Sequence, residues 1–349
     1  MNGNSKPHFV SFLKENRTKE EAKALHDQRI RDSREIFEKF EDQFSFRHCH
    51  VCGNDDYINI DKFDERYSIV KCNFCCSEYV NPAPSKNALD YYYNNSSCNE
   101  IFGKLLRKRA RKKNIISNER ILALLEIINK LLESNKKIRV LDVGCSSGAL
   151  IFDLKKQLIE QNLNEHVEIV GIDIDKNAIE NSVSEDITLV HASLEQFVLS
   201  NPSKFDLVIH FELIEHLFNP FDFVVDIHKI LQDNGLMYFH TPNNLGLDNQ
   251  AIGYNEFRPL AHGIFPPMHL QAFTTQNISH FLLRTNFQVL DIQTPGNFDV
   301  DIVRTFLKDN SDPDFVAIKS FKEENLAILQ KLLKRLKASS HLSVLAKKV

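Results

Sequence analysis

From residue 138 onward the chain alternates short apolar runs with helical stretches. Ile138, Val140, Leu141 and Val143 surround a single acid, Asp142, and a turn, Gly144-Cys145-Ser146-Ser147-Gly148, follows. Ala149-Leu150-Ile151-Phe152-Asp153-Leu154 then opens a helix. Strand, glycine turn, helix is the first unit of a nucleotide-binding α/β sheet. The same strand signal recurs at Val167–Asp173, Ile187–His191, Phe205–His210 and Gly235–Thr241, then at Phe287–Ile292 and Leu342–Ala346. Near-continuous apolar runs of this kind are what strands covered on both faces require. The pattern predicts an α/β fold: a Rossmann-like, seven-stranded sheet with helices on both faces, occupying 138–349. Two stretches break the alternation. Residues 245–267 are loop-rich, and 296–338 hold an amphipathic helix marked by Leu326, Leu329, Leu332, Leu333 and Leu336; both read as insertions.

Ahead of the sheet the pattern changes. Ile30, Ile36, Phe37 and Phe40 recur at helical spacing inside a charged arm, 1–45, read as a packing or homodimer element. The leucine helix in 296–338 is open to the same two readings, core or dimer packing. Residues 86–137 read as a helical linker or cap, with Ile121, Leu124, Leu125, Ile128 and Leu131 on one face. Its start carries a basic run from Lys104 to Lys113, read as a solvated helix face or a phosphate-binding edge. The aromatics Tyr91, Tyr92 and Tyr93 either cover a pocket or pack on the body.

Between arm and cap, 46–85 holds His48-Cys49-His50-Val51-Cys52 and Cys72-Asn73-Phe74-Cys75-Cys76. Two Cys-x2-Cys pairs separated by room for a hairpin predict a closed tetrahedral site for a structural Zn2+, with Cys49, Cys52, Cys72 and Cys75 as ligands. Cys76 reads as a bystander, His48 and His50 as outside candidates. The chain's seven cysteines fit a metal site in a reducing compartment better than disulfides.

Composition narrows the function classes. With 349 residues and 42% hydrophobic content, a sizeable core is available. A net charge of -4 gives no general pull toward nucleic acid or an anionic membrane. No apolar run reaches a membrane span, and Met1-Asn2-Gly3-Asn4-Ser5-Lys6 lacks a signal-peptide core, so the cytoplasm is the expected location.

The glycine turn is not a phosphate loop, which would place Lys-Ser or Lys-Thr after the last glycine where Ala149-Leu150 stand. Nor is it Gly-x-Gly-x-x-Gly. Asp142-x-Gly144-x-x-x-Gly148 resembles motif I of class I S-adenosylmethionine (SAM)-dependent methyltransferases, with Ser146 in place of a middle glycine. That resemblance makes SAM the expected cofactor. Asp142, Gly144, Cys145 and Gly148 would hold its methionine end, Asp173 with Ile174 the ribose, and Ser193 with Leu194 the adenine, with Phe211 beside them. Asp175 is read as a helix cap.

Glu212-Leu213-Ile214-Glu215-His216 resembles the Glu-x-x-Glu-His segment of small-molecule methyltransferases. It is also similar to the metal-binding segment of small-RNA 2′-O-methyltransferases and ubiquinone-pathway O-methyltransferases. A divalent metal at Glu212, Glu215 and His216 is therefore one reading, and a metal-free pocket role is the favoured one. His269-Leu270-Gln271-Ala272-Phe273-Thr274 resembles the His-x-x-x-Phe-(Ser/Thr) segment of the same family. His216 and His269 are the candidate bases, with Glu212 or Glu215 as orienter; a hydrogen-bonded structural role for His269 stands beside this.

The cysteine ribbon is similar to that on methyltransferases of bacterial sugar and polysaccharide pathways. Sugar C-methyltransferases share it but carry a further C-terminal domain, which shifts the expectation to an O or N acceptor on a small molecule, a sugar or sugar nucleotide. Two alternatives stand beside it: a metal-assisted RNA 2′-O-methyltransferase using the 104–113 run, and a non-catalytic zinc-ribbon scaffold.

Overall fold

The computed structural model describes residues 19–98, 101, 115–134, 137–201, 203–254, 258, 261, 263–309 and 314–349. The 104–113 basic run and the first part of the N-terminal arm lie outside them. Strands β1 (Tyr57–Phe63), β2 (Tyr67–Cys72) and β3 (Glu78–Val80) form an antiparallel ribbon, joined at β3 by a two-residue strand from far along the chain, β9 (Gln271–Ala272). The main sheet comprises β4 (Ile138–Val143), β5 (Val167–Asp173), β6 (Thr188–His191), β7 (Phe205–Phe211), β8 (Leu231–Thr241), β10 (Phe287–Gln293) and β11 (Leu342–Lys348). Its order is β10-β11-β8-β7-β4-β5-β6. Only β11 runs antiparallel to its neighbours.

Each apolar run expected to be a strand is one. The strand order reverses between the parallel neighbours β4 and β7, which pair Asp142 with Ile209 and Val143 with His210. At such a switch point the carboxyl ends of neighbouring strands open a crevice for a ligand. The helix Ile115–Ser134 covers one face: Ile121, Leu124, Leu125 and Ile128 pack on Ile138, Val140, Leu207 and Ile209. On the other face Val224, Ile227 and Ile230 of the helix Pro220–Ile230 share one core with Phe281 and Leu282, and with Val51, Val70 and Tyr79 of the ribbon. Each of those ribbon side chains is fully buried, and burial of this kind contributes roughly 1.5–3 kcal/mol per large apolar side chain. The ribbon is thereby packed into the core of the main sheet.

The helix Lys19–Phe40 lies on the ribbon, with Ile30 and Phe37 against Phe63, Tyr67 and Ile69. The two insertions meet: Ala251 and Ile252 pack with Val300, Val303, Leu307, Leu326 and Leu333. The buried Asp299 ties them to the start of β11, accepting from Ser339 Oγ and Gln330 Nε2, both at 2.7 Å, and from the Ser340 N–H. Among the described residues no helix is long and apolar enough to cross a membrane.

Candidate active site

The turn after β4 is built by conformation and space. Gly144 and Gly148 have φ of +79° and +78°, and Ser146 shares the left-handed region at +51°. A Cβ on Gly148 would stand 2.3 Å from Ile187 Cδ1 and 3.1 Å from a Leu189 methyl. The Gly144 and Cys145 N–H groups donate to Ile172 O at 2.8 and 3.1 Å, which ties the turn to β5. Cys145 itself packs against Ile151 and Ile187.

Two acids stand at the tips of β4 and β5. Asp173 accepts from the Ser146 N–H at 2.7 Å and the Asp175 N–H at 2.8 Å. Burial raises its pKa, against those N–H bonds. Asp142 is 3% exposed and receives no hydrogen bond from the described residues. Burial, then the charge of Asp173, push its pKa up to about 7, with Arg120 acting the other way. A buried carboxyl left without a donor is costly unless a ligand supplies one.

The neighbouring residues are less uniform. Ser193 caps the helix Leu194–Ser200: its Oγ accepts the Gln196 N–H while Gln196 returns a bond to the Ser193 N–H, leaving the hydroxyl proton free to donate. Leu194 is buried, and Ile174 is 56% exposed. Asp175 caps the helix Lys176–Glu180, accepting from the Ala178 N–H at 3.0 Å. Arg120 reaches into this corner from the helix Ile115–Ser134. Its guanidinium lies 4.7 Å over the Phe211 ring and bonds Glu212 Oε1 at 2.5 Å. Nothing in the sequence marked it beyond a position one residue ahead of the apolar stripe.

At the end of β7 the chain turns sharply, with Glu212 at φ +50° and a single helical turn over Ile214–His216. The turn separates the carboxylates that sequence spacing grouped. Glu212 faces Arg120 and, at 3.3 Å, His341 Nε2. Glu215 is buried: Oε2 accepts from Thr241 Oγ1 at 3.0 Å, and Oε1 faces His216 Nε2 at 3.5 Å. His216 Nδ1 lies 3.2 Å from the Tyr93 hydroxyl, and its ring meets His269 edge-on at 4.6 Å. Glu215, His216 and His269 each bring one ligand-capable atom within 4.8 Å of the others, a set that includes His269 and not Glu212. Burial, reinforced by Glu212, lifts the Glu215 carboxyl to about 8, and burial draws the His216 imidazole down to about 4. At neutral pH that imidazole is uncharged and can accept a proton. Tyr93, one of the aromatics whose sequence left a pocket role open, joins this cluster, and His341 joins it without a sequence signal that singled it out.

The four cysteines converge as their spacing requires. Cys49 Sγ is 3.4 Å from Cys75 Sγ, Cys52 Sγ is 3.6 Å from Cys72 Sγ, and all four lie within 4.8 Å of one another. Four sulfurs about 2.3 Å from one ion stand roughly 3.8 Å apart, so the set fits a tetrahedral zinc. The Gly53 and Cys76 N–H groups close the two knuckles onto Cys49 O and Cys72 O. Ser77 Oγ lies 3.2 Å from Cys75 Sγ and accepts from Asn277 Nδ2 at 2.9 Å, an outer support for the thiolate.

A family model described as a methyltransferase domain matches residues 116–292. No curated protein matches the chain. Among solved structures it is similar to a SAM-dependent methyltransferase from Archaeoglobus fulgidus, at 17% identity over 65% of this chain and 94% of that one, TM-score 0.41. It is also similar to the plantazolicin methyltransferase BpumL in complex with a pentazolic desmethylPZN analog and SAH, at 14% identity over 74% and 94%, TM-score 0.48. A putative sarcosine dimethylglycine methyltransferase from Galdieria sulphuraria matches at 14% identity over 66% and 84%, TM-score 0.41.

Proposed function

The chain belongs to the methyltransferase-domain family, and from that premise we propose that it is a class I SAM-dependent enzyme that methylates an oxygen or nitrogen of a small molecule, a sugar or sugar nucleotide, in the cytoplasm. The observation that carries this reading is the buried Glu215–His216–Tyr93 group with His269 against it, beside two acids suited to a cofactor. SAM supplies a methyl on a sulfonium, already a good leaving group, so the protein's work is placement and proton removal. Asp142 takes the ammonium of the methionine end, and Arg120, close enough to act on Asp142, takes its carboxylate. Asp173 takes the ribose hydroxyls, and Ser193 donates toward the adenine. His216 or His269 accepts the acceptor's proton, with Glu215 and Tyr93 fixing the ring of His216. Hydrogen-bonding side chains gathered at this end suit a polyhydroxylated acceptor. Cys49, Cys52, Cys72 and Cys75 hold a structural zinc with no open position for substrate.

The cluster of Glu215, His216 and His269 favours a second reading, a divalent ion at the acceptor end. Glu212 is then a partner of Arg120 and His341 and not a ligand. The test begins with calorimetric titration by SAM and S-adenosylhomocysteine (SAH), beside Asp173→Ala. Methyl acceptance is then screened on nucleotide sugars and on RNA, with and without EDTA. Micromolar SAH binding lost in the variant is expected. So is turnover on nucleotide sugars that resists EDTA and falls roughly 10²–10⁴-fold in His216→Asn. A folded, zinc-loaded protein that binds neither SAM nor SAH would overturn the reading.

A further inference from the structure

Arg47, two residues ahead of the first ribbon cysteine, has no part in the chemistry above. Its guanidinium is nonetheless almost fully engaged. Nη1 donates to Phe218 O at 3.2 Å and Gln271 Oε1 at 2.7 Å, Nη2 to Leu270 O at 2.8 Å, and Nε to Val80 O at 3.2 Å. Every acceptor is a neutral oxygen, and no carboxylate among the described residues pairs with the charge. Partly buried arginines are usually placed against acids. Here a fork of donors has been spent on carbonyls instead.

Those carbonyls come from three places: the last residue of β3, the end of the 214–218 turn, and the pair of residues directly after His269. A second layer repeats the arrangement. Gln271 Nε2 donates to Ile214 O at 2.8 Å and Leu217 O at 2.9 Å, so the side chain that Arg47 holds itself holds the turn containing Glu215 and His216. The Leu270 N–H donates to Glu215 O at 2.9 Å, and the Val80 N–H donates to Leu270 O at 2.8 Å. The irregular backbone that follows each of the two histidines, at Phe218 and at Leu270–Gln271, is thereby pinned directly to the cysteine ribbon, and Gln271 carries the hold back to Ile214. Hydrogen bonds from a charged donor are about twice as strong as neutral ones, which suits a clamp on segments with little regular structure.

We propose that Arg47 is a positioning residue, which straps the ribbon to the segments carrying Glu215–His216 and His269 and so sets where those side chains meet. The proposal rests on the reading of that group as the acceptor-activating site.

The test uses the full chain, zinc-loaded, with and without SAH. Arg47→Met removes the donors and Arg47→Lys keeps the charge with fewer of them. Gln271→Leu cuts only the second layer, far in sequence from the cysteines. Hydrogen exchange by mass spectrometry is read over 212–218, 268–273, 138–148 and 205–211. Imidazole ¹⁵N resonances report the His216 and His269 rings. In Arg47→Met, exchange in 212–218 and 268–273 should quicken about tenfold or more and both ring signatures should move. Zinc content, SAH affinity and exchange in 138–148 and 205–211 should stay within about twofold of the parent, since the strap touches none of them. Arg47→Lys should recover part of the change. If Arg47→Met does not fold, Gln271→Leu should show the same regional pattern. Unmoved ring resonances, or exchange that quickens evenly across all four segments, would overturn the proposal. A parent protein that fails to bind SAH would instead count against the enzymatic reading, and the exchange and ring data would still judge the strap.

Discussion

SAH binding should be steeply pH-dependent through Asp142. Its carboxyl must be ionised to hold an ammonium, yet burial beside Asp173 lifts its pKa to about 7 in the free protein. Below that pH the site starts protonated, and binding must expel the proton. Well below that value each pH unit costs a factor of about ten, ~1.4 kcal/mol; because the group is half-protonated at pH 7, affinity should fall about 50-fold from pH 7 to pH 5. Folding stability follows the same carboxyl with its sign fixed by the raised value. The unfolded chain ionises near 3.8, so the empty protein carries no penalty below that pH and loses stability as pH rises to about 7. The loss is on the order of 4 kcal/mol. Bound ligand reverses it, so the thermal shift given by SAH should grow from pH 5 to pH 7. Calorimetry in buffers of different ionisation enthalpy counts the proton: close to one released at pH 5, close to none at pH 8. Asp142→Asn should bind weakly at every pH and show neither the slope nor the release. An affinity that is flat from pH 5 to 7, or the same slope in parent and variant, would refute this account of the pocket.

Gly148→Ala should lower unfolding free energy by about 2–4 kcal/mol, the sum of a left-handed φ and an overpacked contact with Ile187, and should abolish SAH binding. An unchanged urea midpoint would show that the turn relaxes around the methyl. Cys72→Ser should lose its zinc by elemental analysis and melt well below the parent, because a structural metal contributes to folding directly, whereas Cys76→Ser should keep both metal and melting temperature. Full zinc in Cys72→Ser would contradict a four-cysteine site.

How much of this was visible beforehand depends on the range of the forces involved. The central strands were legible because strands buried on both faces leave runs such as Leu207–Ile209 without polar interruption. Asp173 was legible for a similar reason: the end of a strand fixes where its last side chain points. The four cysteines were legible because knuckle geometry is local. What escaped was set by chain folding over long distances. Arg120 and His341 come from distant parts of the chain and meet Glu212 only when the fold closes, and the partner of Tyr93, His216, is fixed in the same way. Spacing placed Glu212 with Glu215 and His216. The turn at φ +50° sends it to Arg120 and His341 and leaves room for His269. The insertions at 245–267 and 296–338, read separately, turned out to share one core.

The short strand β9 bears on how the chain must be made. The free edge of β3 is closed only when Tyr79 pairs with Gln271, roughly 190 residues downstream, a closure costing about 4–5 kcal/mol of chain entropy. A nascent chain on the ribosome can present all four thiols early, yet its ribbon keeps a bare edge until most of the enzyme has been synthesised. Bare edges recruit other chains. The segment that closes this one is the same segment that delivers His269, so protection of the N-terminal ribbon and completion of the acceptor site arrive in a single late step of biogenesis. Fragments ending before Gln271 should therefore be the ones that aggregate.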